Sequence, residues 1–174
     1  PLSARVDVLQ KELGFGQAAI DGVHRSETLK RAQRVLEQSK MLSSRHHVVV
    51  ANPPYLGAKS MNDPLKKFLG DAYPEGKRDL FAAFMLREMG LARKSGFAAA
   101  VTMQSWMFLS SFTALRNEVL EHASLVSMAH LGTRAFDSIG GEVVATTAFV
   151  ISNAKAGQAT TFLRLVDGAR EEEK

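Results

Sequence analysis

Asn52-Pro53-Pro54-Tyr55 is the stretch of this chain best equipped to do chemistry. It offers a side-chain amide oxygen at Asn52 and a second free acceptor, the Pro53 carbonyl. Two neighbouring acceptors suit the two N–H bonds of a conjugated exocyclic amine, whose lone pair is otherwise delocalised into its ring. Holding both N–H groups draws the nitrogen toward tetrahedral geometry and aims its lone pair at an incoming methyl group. The prolines fix both acceptors in advance, and preorganised dipoles of this kind are often the largest catalytic term. Tyr55 adds a flat face on which a base can stack.

The element that must position these groups is Val48-Val49-Val50-Ala51. Its β-branched and small residues make a short apolar strand of the kind buried on both faces of a parallel sheet. Two prolines end it, since they can neither donate to a ladder nor continue a regular element. Ligands of open α/β sheets bind beyond the carboxyl ends of strands, which is where Asn52 falls. The tetrapeptide also fits the Asn-Pro-x-Tyr peptides read by phosphotyrosine-binding domains. Those need an accessible, flexible segment, and the valine run argues for burial.

The bulk numbers describe one ordinary globular unit: 174 residues, 45% hydrophobic and 23% charged. No apolar run approaches the ~20 residues of a membrane span, and no signal-peptide pattern opens the chain. A cytoplasmic location without membrane contact is therefore expected. The absence of cysteine excludes disulfides, thiolate metal sites and a cysteine nucleophile. His46-His47 has no third ligand in view, so no metal site is expected. The net charge of +4 is compatible with nucleic acid but too mild to establish it. Pro1 is not an initiator methionine, so an excerpt of a longer parent is expected.

Taken in order, Leu2, Val6, Leu9 and Leu13 recur at helical spacing, and Gly14-Phe15-Gly16 reads as a turn. A second helix is expected from Leu29 to about Leu42. After Tyr55 and a polar loop, Asp63-Pro64 should start a short helix over Leu65–Leu69, with Asp63 as cap. Asp79 should cap a largely buried helix from Leu80 to Lys94, broken by Gly96. Phe97–Met103 is the next buried strand, making a βαβ crossover with Val48–Ala51. A helix through Phe112, Leu115 and Val119 follows. Strands are then expected at Leu125–Leu131 and Val143–Ser152, joined through Ser138–Gly141, with a last strand at Thr161–Leu165. Lys59, Lys66, Lys67, Lys77 and Arg78 gather near the candidate site. Asp63, Asp71, Glu75 and Asp79 nearly balance them, so a solvated face and a phosphate track both stay open.

The tetrapeptide behind an apolar strand resembles the signature of S-adenosylmethionine-dependent amino-methyltransferases, above all the DNA adenine-N6 class. Asp79-Leu80-Phe81-Ala82-Ala83-Phe84 is similar to that family's cofactor-pocket segment, which implies cofactor-binding roles for Asp79 and Phe84. Phe136 stands where adenine methyltransferases place an aromatic that sandwiches the extruded base against Tyr55. Thr102–Ser111 and Ala135–Val143 look like the PglX-type methyltransferase of bacterial phage-exclusion (BREX) systems. The family often carries an acidic residue before the apolar strand, where this chain has His47. Trp106 reads as a packing residue, and Glu142 has no role derivable from the sequence.

The resemblance implies an α/β fold: the second half of a class I, Rossmann-like methyltransferase sheet, mostly parallel with one antiparallel strand and helices on both faces. Residues 1–46 would be a helical N-terminal segment, 47–153 the catalytic half, and 154–174 an extra strand with a charged tail. The glycine-rich turn and acidic ribose ligand of such enzymes are not found in residues 1–46. The isolated fragment is therefore expected to be inactive. The implied cofactor is S-adenosylmethionine and the implied partners are double-stranded DNA, the rest of the parent chain and other phage-defence proteins. Two alternatives remain at this level: a non-catalytic DNA- or partner-binding domain of the same fold, and a glutamine-N5 protein methyltransferase, which uses the same tetrapeptide.

Overall fold

The computed structural model describes residues 23–133, 144–155 and 159–167, with only the backbone considered at 23–26 and 28. The helix expected over 2–13, the turn at 14–16 and the 138–141 loop lie outside the described residues. Two compact units divide the chain, Pro1–Arg45 and His46–Lys174. The first contributes helix α1 (Val23–Ser43), whose last turn is closed by the Ser43 and Ser44 hydroxyls donating to the Lys40 carbonyl.

The second unit is built on a five-stranded sheet, β1 (His46–Ala51), β2 (Ala92–Met103), β3 (Ser124–Gly132), β4 (Thr146–Ser152) and β5 (Thr161–Arg164). The spatial order is β1-β2-β4-β3-β5. β1 and β2 are parallel, as are β3 and β5, while β4 is antiparallel to both of its neighbours. The expected parallel set with one reversed strand is present, and the reversed strand is inserted between β2 and β3. The carboxyl ends of β1, β2 and β3 thus share one rim with the start of β4.

Helices α2 (Asp63–Ala72) and α3 (Leu80–Leu91) connect β1 to β2. A short α4 (Ser105–Phe108) and α5 (Thr113–His122) connect β2 to β3. Alternation along β2 puts Ala98, Ala100 and Thr102 on one face, where they are buried. Phe81, Met85 and Met89 of α3 and Leu115 and Val119 of α5 pack onto that face with Met128, Phe149 and Ile151. Trp106 closes the core: its indole N–H donates to Thr102 Oγ1 at 3.1 Å and its ring meets Phe149 edge-on. It is the packing residue the sequence suggested. The opposite face, with Ala99, Val101, Ala148 and Val150, is half-exposed. Within this unit the described helices cover one face, where the sequence reading has them on both.

Four other expectations are corrected. The expected fully buried valine strand is exposed, at 57% for Val48 and 72% for Val50. Among the described residues β1 is an edge strand on a sheet with one open face, and side-chain type alone cannot tell an edge from a centre. α3 ends at Leu91 rather than Lys94, because β2 begins early through an irregular stretch at Ala92–Gly96. Asn153 stabilises that stretch, its side-chain amide donating to the Ala92 carbonyl at 2.8 Å and its backbone N–H to Gly96 at 2.7 Å. α2 is longer than expected and is capped by Asn62, which accepts from the Leu65 N–H, so Asp63 is already inside it. Finally, β4 begins at Thr146, three residues later than expected.

Glu88 is the anomaly of this core. It lies on the buried side of α3 at 3% exposure, and neither carboxylate oxygen has a hydrogen-bond partner. Burial pushes its pKa from 4.5 up to about 7. A raised carboxyl pKa favours the fold while the group is protonated, so stability should be greatest below about pH 4.5 and decline as the pH rises through 7. Glu88→Gln, which cannot ionise, should remove this decline. The expected gain is on the order of 3 kcal/mol at pH 8, shrinking toward zero near pH 4, at about 1.4 kcal/mol per pH unit. Urea unfolding of both forms at several pH values checks this, and parallel stability curves would contradict it.

Candidate active site

β1 delivers Asn52 to the rim with its side chain exposed, Pro53 buried beneath it and Pro54 exposed. Tyr55 turns back and is half-buried, its ring edge-on to Phe81 with centroids 6.1 Å apart. Its hydroxyl lies 3.5 Å from the Val101 carbonyl, which tethers the ring to β2. Burial raises the phenol above its ordinary pKa, so Tyr55 stays neutral.

Asp79 holds the loop that leaves the motif. Its Oδ1 accepts the Leu56 N–H at 3.0 Å and the Phe81 N–H at 3.3 Å, so one oxygen ties the loop to the first turn of α3. The Leu80 N–H returns a bond to the Leu56 carbonyl at 3.0 Å, and Gly57 pairs antiparallel with Asp79. Burial raises the Asp79 pKa, and the backbone N–H groups of Leu56, Phe81 and Leu80 partly oppose it. Gly76 is required just upstream. A Cβ there would lie 2.7 Å from the Ala83 backbone nitrogen, inside the wall of α3.

The structure thus joins Asn52, Pro53, Pro54, Tyr55 and Asp79 into one assembly. Phe84 stands apart, one turn beyond Phe81 on α3 and 38% exposed, on a helix whose Arg87 and Gly90 are exposed as well. Among the described residues it makes no ring contact with the motif. Phe136 lies outside the described residues.

One pairing on the same rim has no counterpart in the sequence reading. Gln104, in the turn after β2, accepts from or donates to His130 Nε2 near the end of β3, and the His130 ring packs against Phe108. The β-ladders align His130 with Thr147 and Thr147 with Thr102, toward the rim that carries the motif. Arg116 fixes the adjoining turn by donating to the carbonyls of Trp106 and Leu109 at 2.7 and 2.8 Å.

Known proteins share this fold. The fold resembles that of a putative class I S-adenosylmethionine-dependent methyltransferase from Listeria monocytogenes, with TM-score 0.55 and 14% identity over 74% of this chain and 40% of that one. A DrdV–DNA complex gives TM-score 0.59 and 17% identity over 79% of this chain and 16% of that one. These likenesses establish a class I methyltransferase fold. The Eco57I restriction-modification methylase model matches residues 7–136, and the chain belongs to that family. It is 46% identical to the adenine-specific methyltransferase BrxX of Escherichia coli O9:H4 (strain HS), over 90% of this chain and 13% of the relative. It is 48% identical to the adenine-specific methyltransferase PglX of Lacticaseibacillus casei (strain Zhang), over 82% of this chain and 12% of the relative. The chain therefore spans about an eighth of the length of these relatives.

The Asp79 clamp makes a testable demand. Asp79→Ala removes both a helix cap and the loop tie, and should cost about 1–2 kcal/mol, the upper range for losing a cap. Asp79→Asn keeps an acceptor oxygen and should recover most of that. Denaturant midpoints of the three proteins decide it, and equal losses in both variants would show that the oxygen is not what holds the loop.

Proposed function

We propose that this chain is the catalytic corner of an S-adenosylmethionine-dependent DNA methyltransferase that modifies N6 of an extruded adenine. The observation that carries the reading is Asn52-Pro53-Pro54-Tyr55 held rigidly at a strand end of a class I methyltransferase sheet. Support for adenine comes from the two relatives named adenine-specific, and for DNA from the DrdV neighbour determined in complex with it. The resemblance of Thr102–Ser111 to PglX-type enzymes supports a phage-exclusion role, with residues 47–153 as the catalytic half.

In this reading the Asn52 Oδ1 and the Pro53 carbonyl accept the two N6 hydrogens. The nitrogen is drawn out of conjugation and its lone pair points away from the base plane. S-adenosylmethionine, when bound, supplies an electrophilic methyl group. Transfer would break the methyl carbon–sulfur bond and leave the cofactor's sulfur as a neutral thioether, and the methylated nitrogen would lose one proton to water past the same acceptors. Tyr55 stacks on the base, and its neutral phenol, tethered to β2, keeps the ring from turning away. The part of a cofactor pocket this chain would supply is Phe84, an exposed ring on a helix whose other aromatic, Phe81, is fully buried. Phe84 would contact its adenine moiety, and Asp79 would shape the pocket wall by holding the loop. Phe136 would supply the second face of a sandwich around the target base.

Asn52→Ala in the intact protein should lower turnover on the order of a hundred-fold or more, the scale of losing one preorganised polar contact. Labelled methyl transfer to DNA, read out as N6-methyladenine, is the measurement, and near-normal methylation would remove the mechanism. Cofactor affinity should change much less.

Phe136→Ala tests the sandwich. Extruding a paired base costs a few kcal/mol, and each base–aromatic contact returns about 1–3 kcal/mol. The variant should be impaired on a paired adenine and less so on a mismatched one. Equal impairment on both substrates would show that Phe136 only supports the fold.

A further inference from the structure

Beside the motif, three exposed cations lie next to one backbone contact, and among the described residues none of them is in an ion pair. The isolated Gly57–Asp79 bridge and the bond from the Ala58 N–H to the Arg78 carbonyl, 2.9 Å, bring the start of the single 3-10 turn Ala58–Ser60 beside Arg78 and Asp79. Lys59 directly follows this contact on one side, and Lys77 and Arg78 directly precede the clamp residue Asp79 on the other.

The neighbouring lysines differ. Lys67 is paired with Asp71 at 2.6 Å and Lys66 with Asp63 at 3.8 Å, both along α2. Glu75 and Asp79 flank Lys77 and Arg78 in sequence; Asp79 Oδ1 is engaged by backbone N–H groups, and among the described residues neither carboxylate pairs with the three cations. The balance of charge in the sequence is therefore realised as ion pairs within α2 and not at Lys59, Lys77 and Arg78. Like charges gathered on one surface repel one another, and an anion lying against them relieves that repulsion. The Asp79 clamp ties Leu56, just before the first of these residues, to the start of α3, just after the last.

We propose that Lys59, Lys77 and Arg78 form a phosphate-binding site for the DNA backbone beside the target base. The identity of the polyanion rests on the methyltransferase reading, while the existence of the site rests on the clustering of unpaired cations. Lys and Arg neutralise phosphates by releasing condensed counterions, so such a site is sequence-independent and strongly salt-dependent. Its function would be to hold the strand while the base leaves the stack.

The test uses the intact protein and a short fluorescein-labelled duplex containing adenine, with dissociation constants measured across a sodium chloride series. Each phosphate contact contributes about 0.9 to the slope of log affinity against log salt, so K59Q/K77Q/R78Q should make the slope shallower by about 2–3. K59R/K77R keeps the charges and should keep the slope. K66Q/K67Q removes charges already paired within α2 and should leave it nearly unchanged. If the triple variant lowers the melting temperature, the three single variants replace it, each expected to flatten the slope by about 0.9. An unchanged slope would overturn the proposal, as would an equal effect in K66Q/K67Q or a loss confined to single-stranded RNA. Methylation is scored separately. Slope loss without N6-methyladenine keeps the phosphate site and rejects the methyltransferase reading; methylation with an unchanged slope does the reverse.

Discussion

The structure around the motif depends on one carboxylate. Asp79 accepts from Leu56, 23 residues earlier in the chain, and from the first turn of α3. The prolines make the tetrapeptide locally stiff, but stiffness does not say where a segment points. Direction comes from the clamp, which takes the residue after Tyr55 and fastens it to a helix seated in the core. The cost of half-burying this carboxylate shows in its raised pKa, and the N–H groups it satisfies offset that cost in part. A hydroxyl or amide could cap a helix equally well. The site needs a cap that also reaches an adjacent loop.

The same clamp explains the position of α2. Residues between Ala58 and Arg78 form an excursion whose ends are tied together, so α2 needs only a small core of its own. Met61 and Leu69 supply it against Ala83, and Tyr73 and Leu80 flank them. Gly76 is where the excursion returns close enough to α3 that any side chain would collide with the helix backbone. The excursion thereby presents its cations outward without loosening the motif.

The parts of this fold legible in the sequence are those governed by neighbours along the chain. The valine run, the cap at Asp79, the apolar girth of α3 and the two later strands depend on local residue type, and the chain order places β1 and β2 in one crossover. What the sequence did not disclose depends on partners far along the chain. The irregular start of β2 is held by Asn153, 61 residues away from Ala92, so a local reading prolonged the helix instead. Asn62 and Asp63 are both good caps, and only the Leu65 N–H geometry decides between them. The Gln104–His130 pair spans 26 residues and emerges only from strand register. Glu88 did leave a sequence signal, a lone acid on the buried side of an apolar helix, which periodicity treats as noise. Around the candidate site, the strand that ends at the tetrapeptide and the Asp79 cap were readable. The inward tether of Tyr55 and the distinction between paired and unpaired lysines were not.

The open edge and open face of the sheet bear on how the site could be completed. The covered face is finished, with α3 and α5 sealing a core that reaches from Phe81 to Ile151. The other face is a shallow groove of about 300 Å³ lined by small and branched residues such as Ala99, Val101, Ala148 and Val150. β1, which carries the motif, is also the strand whose valines are most exposed. A strand added in parallel to that edge would end beside Asn52, and a helix following it could lie over the groove. Binding crevices of open α/β sheets form where adjacent strands send their connections to opposite faces. The connection leaving β1 goes through α3 to the covered face. A neighbour whose connection went to the open face would make such a crevice at the motif itself.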